Sequence, residues 1–385
     1  MTGIGNYKPR LLAPGPVEVP PAVLAAMAKP TIHHRSPEFA ALLERIRSKI
    51  AEVAFVPGDD VMILTASGTA AFESGLTACV PAGAKVLALH AGKFGARWAT
   101  LARHHGYRVE EYSLPWGEAI DANEVADELR KHPDVSAVLV VHSETSTGTL
   151  HDIQAISKAV HDTVPEALLL VDCITSLTVA ELRPHEWQLD GIFSGSQKGF
   201  MSPPGLSIAW LSERAWEQGA KARTGFYLDL RKERDSQREG QCAYTPAVNL
   251  FYALEEAVEI LLAEGIETIW QRRAHNNFAI LAGAEAIGCK GFAARVSPAV
   301  AALRAPEKIM APLIVKGFAD RGVRISAGQD HTRDVLFRPS VLGYADSNDA
   351  VLLVAVLEDV LRELGSNVQH GVGVAAAMRA LESQV

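Results

Sequence analysis

Ala167-Leu168-Leu169-Leu170-Val171-Asp172 is a run of aliphatic residues closed by an acid. A half-exposed strand alternates apolar and polar residues; an unbroken aliphatic run suits a strand buried on both faces, as in a parallel sheet covered by helices. Runs of the same kind recur on either side, at Val61–Thr65, Lys85–His90, Ser136–His142, Gly191–Ser194 and Leu206–Leu211. Between them lie amphipathic stretches of helical period, among them Phe94–His105, Ala122–Lys131 and Ile153–Thr163. This alternation predicts an α/β domain built on a mostly parallel sheet with helices on both faces.

The pattern changes after the helical stretch Asn249–Ala263, which stops at Glu264-Gly265. Beyond it come a long helix (Ile266–Ile287), strands near Ala299–Leu303, Gly322–Ser326 and Val335–Arg338, and helices Met310–Arg321 and Ser347–Leu364. That mixture predicts a smaller α+β domain. The expected organisation is an N-terminal arm (1–15), a large domain (16–265) and a small C-terminal domain (266–385). The tail Asn367–Val385 reads as one more helix, with Gly371 and Gly373 weighing against it.

The chain has 385 residues, 48% of them apolar and 21% charged, the balance of an ordinary globular enzyme. A formal net charge of -8 and the lack of a basic cluster argue against nucleic-acid binding, which needs cations to neutralise phosphates. Four cysteines (Cys79, Cys173, Cys242, Cys289) form no CxxC pair, so neither a zinc site nor a disulfide framework is expected. No run reaches the roughly 18 apolar residues of a membrane span. Met1 to Arg10 lacks the apolar core of a signal peptide. A reduced, cytoplasmic setting with no membrane partner is the expectation.

Three features follow strand ends, where open α/β sheets bind ligands. Ser67-Gly68-Thr69 stands between a strand and the helical stretch Ala70–Cys79. It suits either a phosphate cradle at a helix N-terminus or a simple N-cap. Asp172 closes its buried strand, where an acid needs a charged partner. A protonated ring nitrogen, a helix amide or a metal could fill that role. Lys198, in Gly195-Ser196-Gln197-Lys198-Gly199, is framed by small residues that let a cofactor reach its amine. Taken alone it is a solvated loop lysine. Cradle, acid and lysine occur in order at successive strand ends, and together they point to pyridoxal 5′-phosphate.

Here the chain resembles the class V aminotransferases of fold type I, in particular the alanine–glyoxylate and serine–glyoxylate (serine–pyruvate) group. The resemblance rests on Leu11-Leu12-Ala13-Pro14-Gly15-Pro16, Ile32-His33-His34-Arg35, Ser67-Gly68-Thr69, His142-Ser143-Glu144-Thr145-Ser146-Thr147-Gly148, Asp172 and Gly195-Ser196-Gln197-Lys198. It implies that Lys198 is the Schiff-base lysine and proton shuttle, and that Asp172 binds the pyridinium nitrogen. Ser67, Gly68, Thr69 and Gln197 would hold the phosphate, and Thr145 the ring 3-oxygen. Phe94 would stack on the ring and Ile174 cover its other face, although both residues also suit plain core packing.

Arg338, in Val335-Leu336-Phe337-Arg338, would clamp the substrate carboxylate, with Gly15 and Thr145 beside it; a lone arginine there otherwise reads as a surface ion-pair partner. Relatives often read Arg-Ile-Gly-His-Met-Gly at this point, whereas this chain has Arg338-Pro339-Ser340-Val341-Leu342-Gly343. Thr245 matches a segment that reaches the phosphate of a neighbouring subunit, which implies a homodimer. The tyrosine that often precedes that threonine by three positions is Cys242 here.

The implied activity is a ping-pong transfer of an amino group from alanine or serine to glyoxylate or pyruvate. Competing readings are a lyase on the same fold, a non-catalytic subunit of a hydrogenase-type assembly, and a pyridoxamine–pyruvate aminotransferase. Ala327–Phe337 lacks the mobile-loop cysteine that a desulfurase needs. Ser67-Gly68-Thr69 stands where the pyridoxamine enzyme carries an acid.

Overall fold

The computed structural model describes residues 7–58, 60–222 and 224–383. Seven strands form one sheet: β1 (Val61–Leu64), β2 (Lys85–His90), β3 (Arg108–Ser113), β4 (Val135–Val141), β5 (Leu168–Asp172), β6 (Gly191–Gly195) and β7 (Ser207–Leu211). Their order is β1-β7-β6-β5-β4-β2-β3. All of them run parallel except β7, which is antiparallel to both of its neighbours.

Side chains alternate between two cores, as the pleat requires. Val138, Val140, Leu169 and Val171 enter one core, against the helices Pro37–Ala54, Ile153–Thr163 and Val248–Glu264. Ala137, Leu139, Leu168 and Leu170 enter the other, against Gly68–Cys79 and Lys93–His104. Helices therefore cover both faces, which is why the strands at the centre are apolar throughout.

A second, four-stranded antiparallel sheet carries Lys290–Gly291, Leu303–Arg304, Leu336–Arg338 and Ser326–Ala327, in that order. Helices Ile266–Ala286, Ala311–Asp320 and Ser347–Glu363 build its core.

Two expectations are corrected here. Ala299–Leu303 is not one strand: the Ala299 amide turns onto the Ser297 hydroxyl at 3.2 Å, and pairing begins only at Leu303. Gly322–Ser326 splits between two sheets. Val323–Arg324 pairs in parallel with Arg10–Leu11, and Ser326–Ala327 pairs with Phe337 and Arg338. The start of the chain is therefore stitched into the C-terminal region.

The tail does form a helix, Val372–Glu382, and its glycines serve it. Gly371 takes φ +84° just before the first turn. A Cβ on Gly373 would stand 2.8 Å from the Gly283 carbonyl, so glycine permits close helix contact.

Candidate active site

The carboxyl ends of the parallel strands converge on one cavity of about 370 Å³. After β1 comes Ser67, which precedes the Gly68–Cys79 helix in extended backbone and makes no side-chain capping bond, leaving its hydroxyl and the helix's first amides available to an anion. A Cβ on Gly68 would lie 2.7 Å from Ile174 Cδ1, so glycine here lets Ile174 close on the helix start. After β2 the Lys93–His104 helix begins, with Phe94 in its first turn on the cavity wall.

β5 ends at Asp172. Its Oδ1 accepts the Ile174 amide at 2.9 Å. Burial pushes the Asp172 carboxyl up to about 7; the Ile174 amide opposes the shift and the nearby Glu144 charge adds to it. Lys198 follows β6 and bends back to give its ammonium a partner in the Pro14 carbonyl. Burial lowers its amine to about 8, helped by the positive charge of Arg338. Gly15 lies so close that a Cβ would overlap the Lys198 amine.

Gly15, Ser67, Gly68, Thr69, Phe94, Thr145, Asp172, Ile174, Gln197 and Lys198 thus all line this one cavity. Two expected residues do not. Arg338 is buried beside it, with Nε donating to the Ala327 carbonyl at 2.9 Å and a terminal nitrogen to the Thr145 carbonyl at 2.5 Å. It has no carboxylate among the described ion pairs, so it is not a surface ion-pair residue. Burial lowers its guanidinium to about 10. Thr245 lines a separate cleft with Tyr227, Cys242 and Tyr244. The Tyr244 hydroxyl donates instead to the Phe226 carbonyl at 2.8 Å.

Sequence reasoning missed two residues. Arg97 lies one turn after Phe94; its guanidinium carbon stands 4.8 Å from the Phe94 ring centre and a terminal nitrogen donates to Thr69 Oγ1 at 3.3 Å. Its spacing from Phe94 on a helix was the available signal. Glu144 sits inside a polar stretch that gave no sign that its carboxylate would be buried.

The model of the class-V aminotransferase family matches residues 11–340. The chain belongs to the class-V aminotransferases. Among its relatives, this aminotransferase is 39% identical to a protein named soluble hydrogenase, small subunit, of Synechococcus sp. (strain PCC 6716), over 98% of this chain and 99% of that one. It is 32% identical to a serine–glyoxylate aminotransferase of Methylorubrum extorquens, over 95% and 94% of the two chains. The aspartate aminotransferase of subgroup IV from Thermus thermophilus superposes with a TM-score of 0.86 at 36% identity, covering 92% of this chain and 99% of that one. The fold is that of the fold type I aminotransferases.

Proposed function

We propose that this aminotransferase uses pyridoxal 5′-phosphate to move the amino group of a small L-amino acid, alanine or serine, to glyoxylate or pyruvate in two half-reactions. The carrying observation is that one cavity holds the Lys198 amine, the Asp172 carboxyl and the Ser67–Thr69 helix start. These residues fit that cofactor: a helix start without a side-chain cap suits a phosphate, and a strand-end acid held near neutrality by burial suits a cationic ring nitrogen. Bound there, the cofactor supplies an electron sink that acidifies the donor's Cα–H.

Lys198 would hold its aldehyde carbon and Asp172 its ring nitrogen. Ser67, Gly68, Thr69 and Gln197 would hold the phosphate, and Thr145 the ring oxygen; Phe94 and Ile174 would give apolar contact. The Lys198 amine, lowered to about 8, is basic enough to take the Cα proton and acidic enough to return it near neutral pH. Pro14 fixes that amine in place. Arg338 is already immobilised by two carbonyls, and its fork suits a carboxylate, with Gly15 and Thr145 alongside.

Thr245 lies outside this cavity, which supports its reaching the phosphate site of a second copy in a homodimer; the neighbouring Phe226 and Tyr227 are strongly exposed. The division into an arm (1–15), a large domain (16–265) and a small domain (266–385) belongs to the same proposal. So does a cytoplasmic setting, supported by four unpaired cysteines. No helix among the described residues is long and apolar enough to cross a membrane.

A second donor, L-aspartate, is favoured by the name of the Thermus thermophilus structure and by Arg97, a cavity cation without a carboxylate among the described ion pairs. One screen decides. Mixing the protein with L-serine, L-alanine or L-aspartate alone should give one equivalent of oxo acid and a shift of the bound cofactor's absorption. Continuous ammonia release would mark a lyase and overturn the proposal. Colourless protein that takes up no cofactor would favour a non-catalytic subunit.

A further inference from the structure

Glu144 is a buried acid beside the cavity that this scheme leaves unused, at 1% exposure. Both of its oxygens are occupied. One accepts the Phe94 and Gly95 amides, each at 2.9 Å, at the start of the Lys93–His104 helix. The other accepts the Ser146 amide at 3.0 Å and the Ser146 hydroxyl at 2.5 Å. That hydroxyl in turn accepts the Lys93 amide at 3.0 Å.

Three of the four partners are backbone amides that can only donate, and with the Ser146 hydroxyl donating as the fourth the arrangement suits a carboxylate. Burial raises the Glu144 carboxyl, while these donors and the positive end of the helix oppose that rise. The fit is tight, since a Cβ on Gly92 would overlap the Glu144 side chain.

The two segments so joined carry different parts of the proposed site. One presents Phe94. The other presents Thr145, whose carbonyl accepts from Arg338. We propose that Glu144 is a positioning residue of the active site: its carboxylate ties the helix start that carries Phe94 to the loop that carries Thr145, and so sets the spacing between ring stacking, the ring-oxygen contact and the Arg338 clamp. This inference rests on the cofactor reading given under "Proposed function". A plain helix cap would contribute stability and nothing else.

The test uses cofactor-loaded wild-type protein, Glu144→Gln and Ser146→Ala. Glutamine keeps the shape, but its NH2 must face one of the two donor pairs, so one side of the tie is lost. Ser146→Ala removes one donor to the carboxylate and the acceptor of the Lys93 amide but leaves the three amide donors to Glu144 in place, and it serves as the second variant should Glu144→Gln fail to fold. Two quantities are read: the visible circular dichroism per bound cofactor, which reports how the ring is held, and the amino-acid concentration that half-saturates the single-turnover donor half-reaction.

Expected for Glu144→Gln is an altered dichroism and a half-saturating concentration raised at least about tenfold, because a hydrogen bond to a charged group is lost. Ser146→Ala should shift both readouts the same way by less. A lower melting temperature with either readout unchanged assigns Glu144 to stability alone and overturns the inference. Wild-type protein that binds no cofactor overturns the cofactor reading instead.

Discussion

Lys198 and Asp172 line one cavity, and burial makes the charge of each costly to the fold. Lys198 has a folded pKa of about 8 against an ordinary 10.5. Below pH 8 the amine is charged in both folded and unfolded protein, and burial makes that charge costly only in the fold. Between pH 8 and 10.5 the folded amine sheds its proton first, so the cost fades. Lys198→Met should therefore stabilise the cofactor-free protein by about 1–3 kcal/mol at pH 7, with the gain disappearing as pH rises towards 10.5. Urea denaturation at a series of pH values measures it, and a gain independent of pH would contradict the assignment. Gly68→Ala acts through shape. Its Cβ would press Ile174 aside, so cofactor affinity should fall roughly tenfold while the helix itself gains up to about 1 kcal/mol from alanine; a cofactor titration read beside a melting curve separates the two effects. Lys198, Asp172 and Ser67 were legible because each closes or follows a strand whose apolar run could be read. Arg97 and Glu144 were not, because a charge on a helix or in a polar loop looks solvated until its burial and partners are known.

Elements were legible where the apolar pattern was strong and lost where charge or length diluted it. β3, with Arg108, Glu110 and Glu111, lies at the sheet edge, where charges discourage further pairing and hide the strand from a search for apolar runs. The small sheet's strands of two or three residues leave almost no periodic signal. The tail helix depends on a contact that sequence could not offer: Glu358, fully buried, accepts the Gly371, Gly373 and Val374 amides at 2.8, 2.5 and 3.0 Å. Glu358→Ala should leave those amides unmatched, cost about 2–3 kcal/mol and make Val372–Glu382 the first segment cut by protease. Limited proteolysis with mass analysis checks this; cleavage elsewhere first, at wild-type rate, would refute it.

Across the whole molecule the first part of the chain acts as a strap. Arg10–Leu11 adds a strand beside Val323–Arg324, the Leu12 carbonyl accepts the Ser340 amide, and the Val17 amide donates to the Gln197 carbonyl. Pro14, between them, holds the Lys198 amine. Leu12 is 1% exposed within the core of the small sheet. Leu12→Ala should cost about 2–4 kcal/mol and also slow the donor half-reaction, since the strap that fixes Pro14 loosens. Denaturation paired with single-turnover kinetics tests both, and lost stability with an unchanged rate would detach the strap from catalysis. Sequence showed the Pro14-Gly15-Pro16 motif but not what it spans, because a two-residue strand pairing with a segment some 300 positions away leaves no local trace.

The strand order carries a consequence for how the chain is made. β1 is an edge strand whose neighbour in the sheet is β7. Ribosomes add roughly 5–20 residues per second, so Val61-Met62-Ile63-Leu64 leaves the tunnel about 7–30 seconds before Ser207–Leu211 follows it out to pair with it. Throughout that interval an aliphatic strand is waiting without its mate, a segment of the nascent protein that a chaperone would shield.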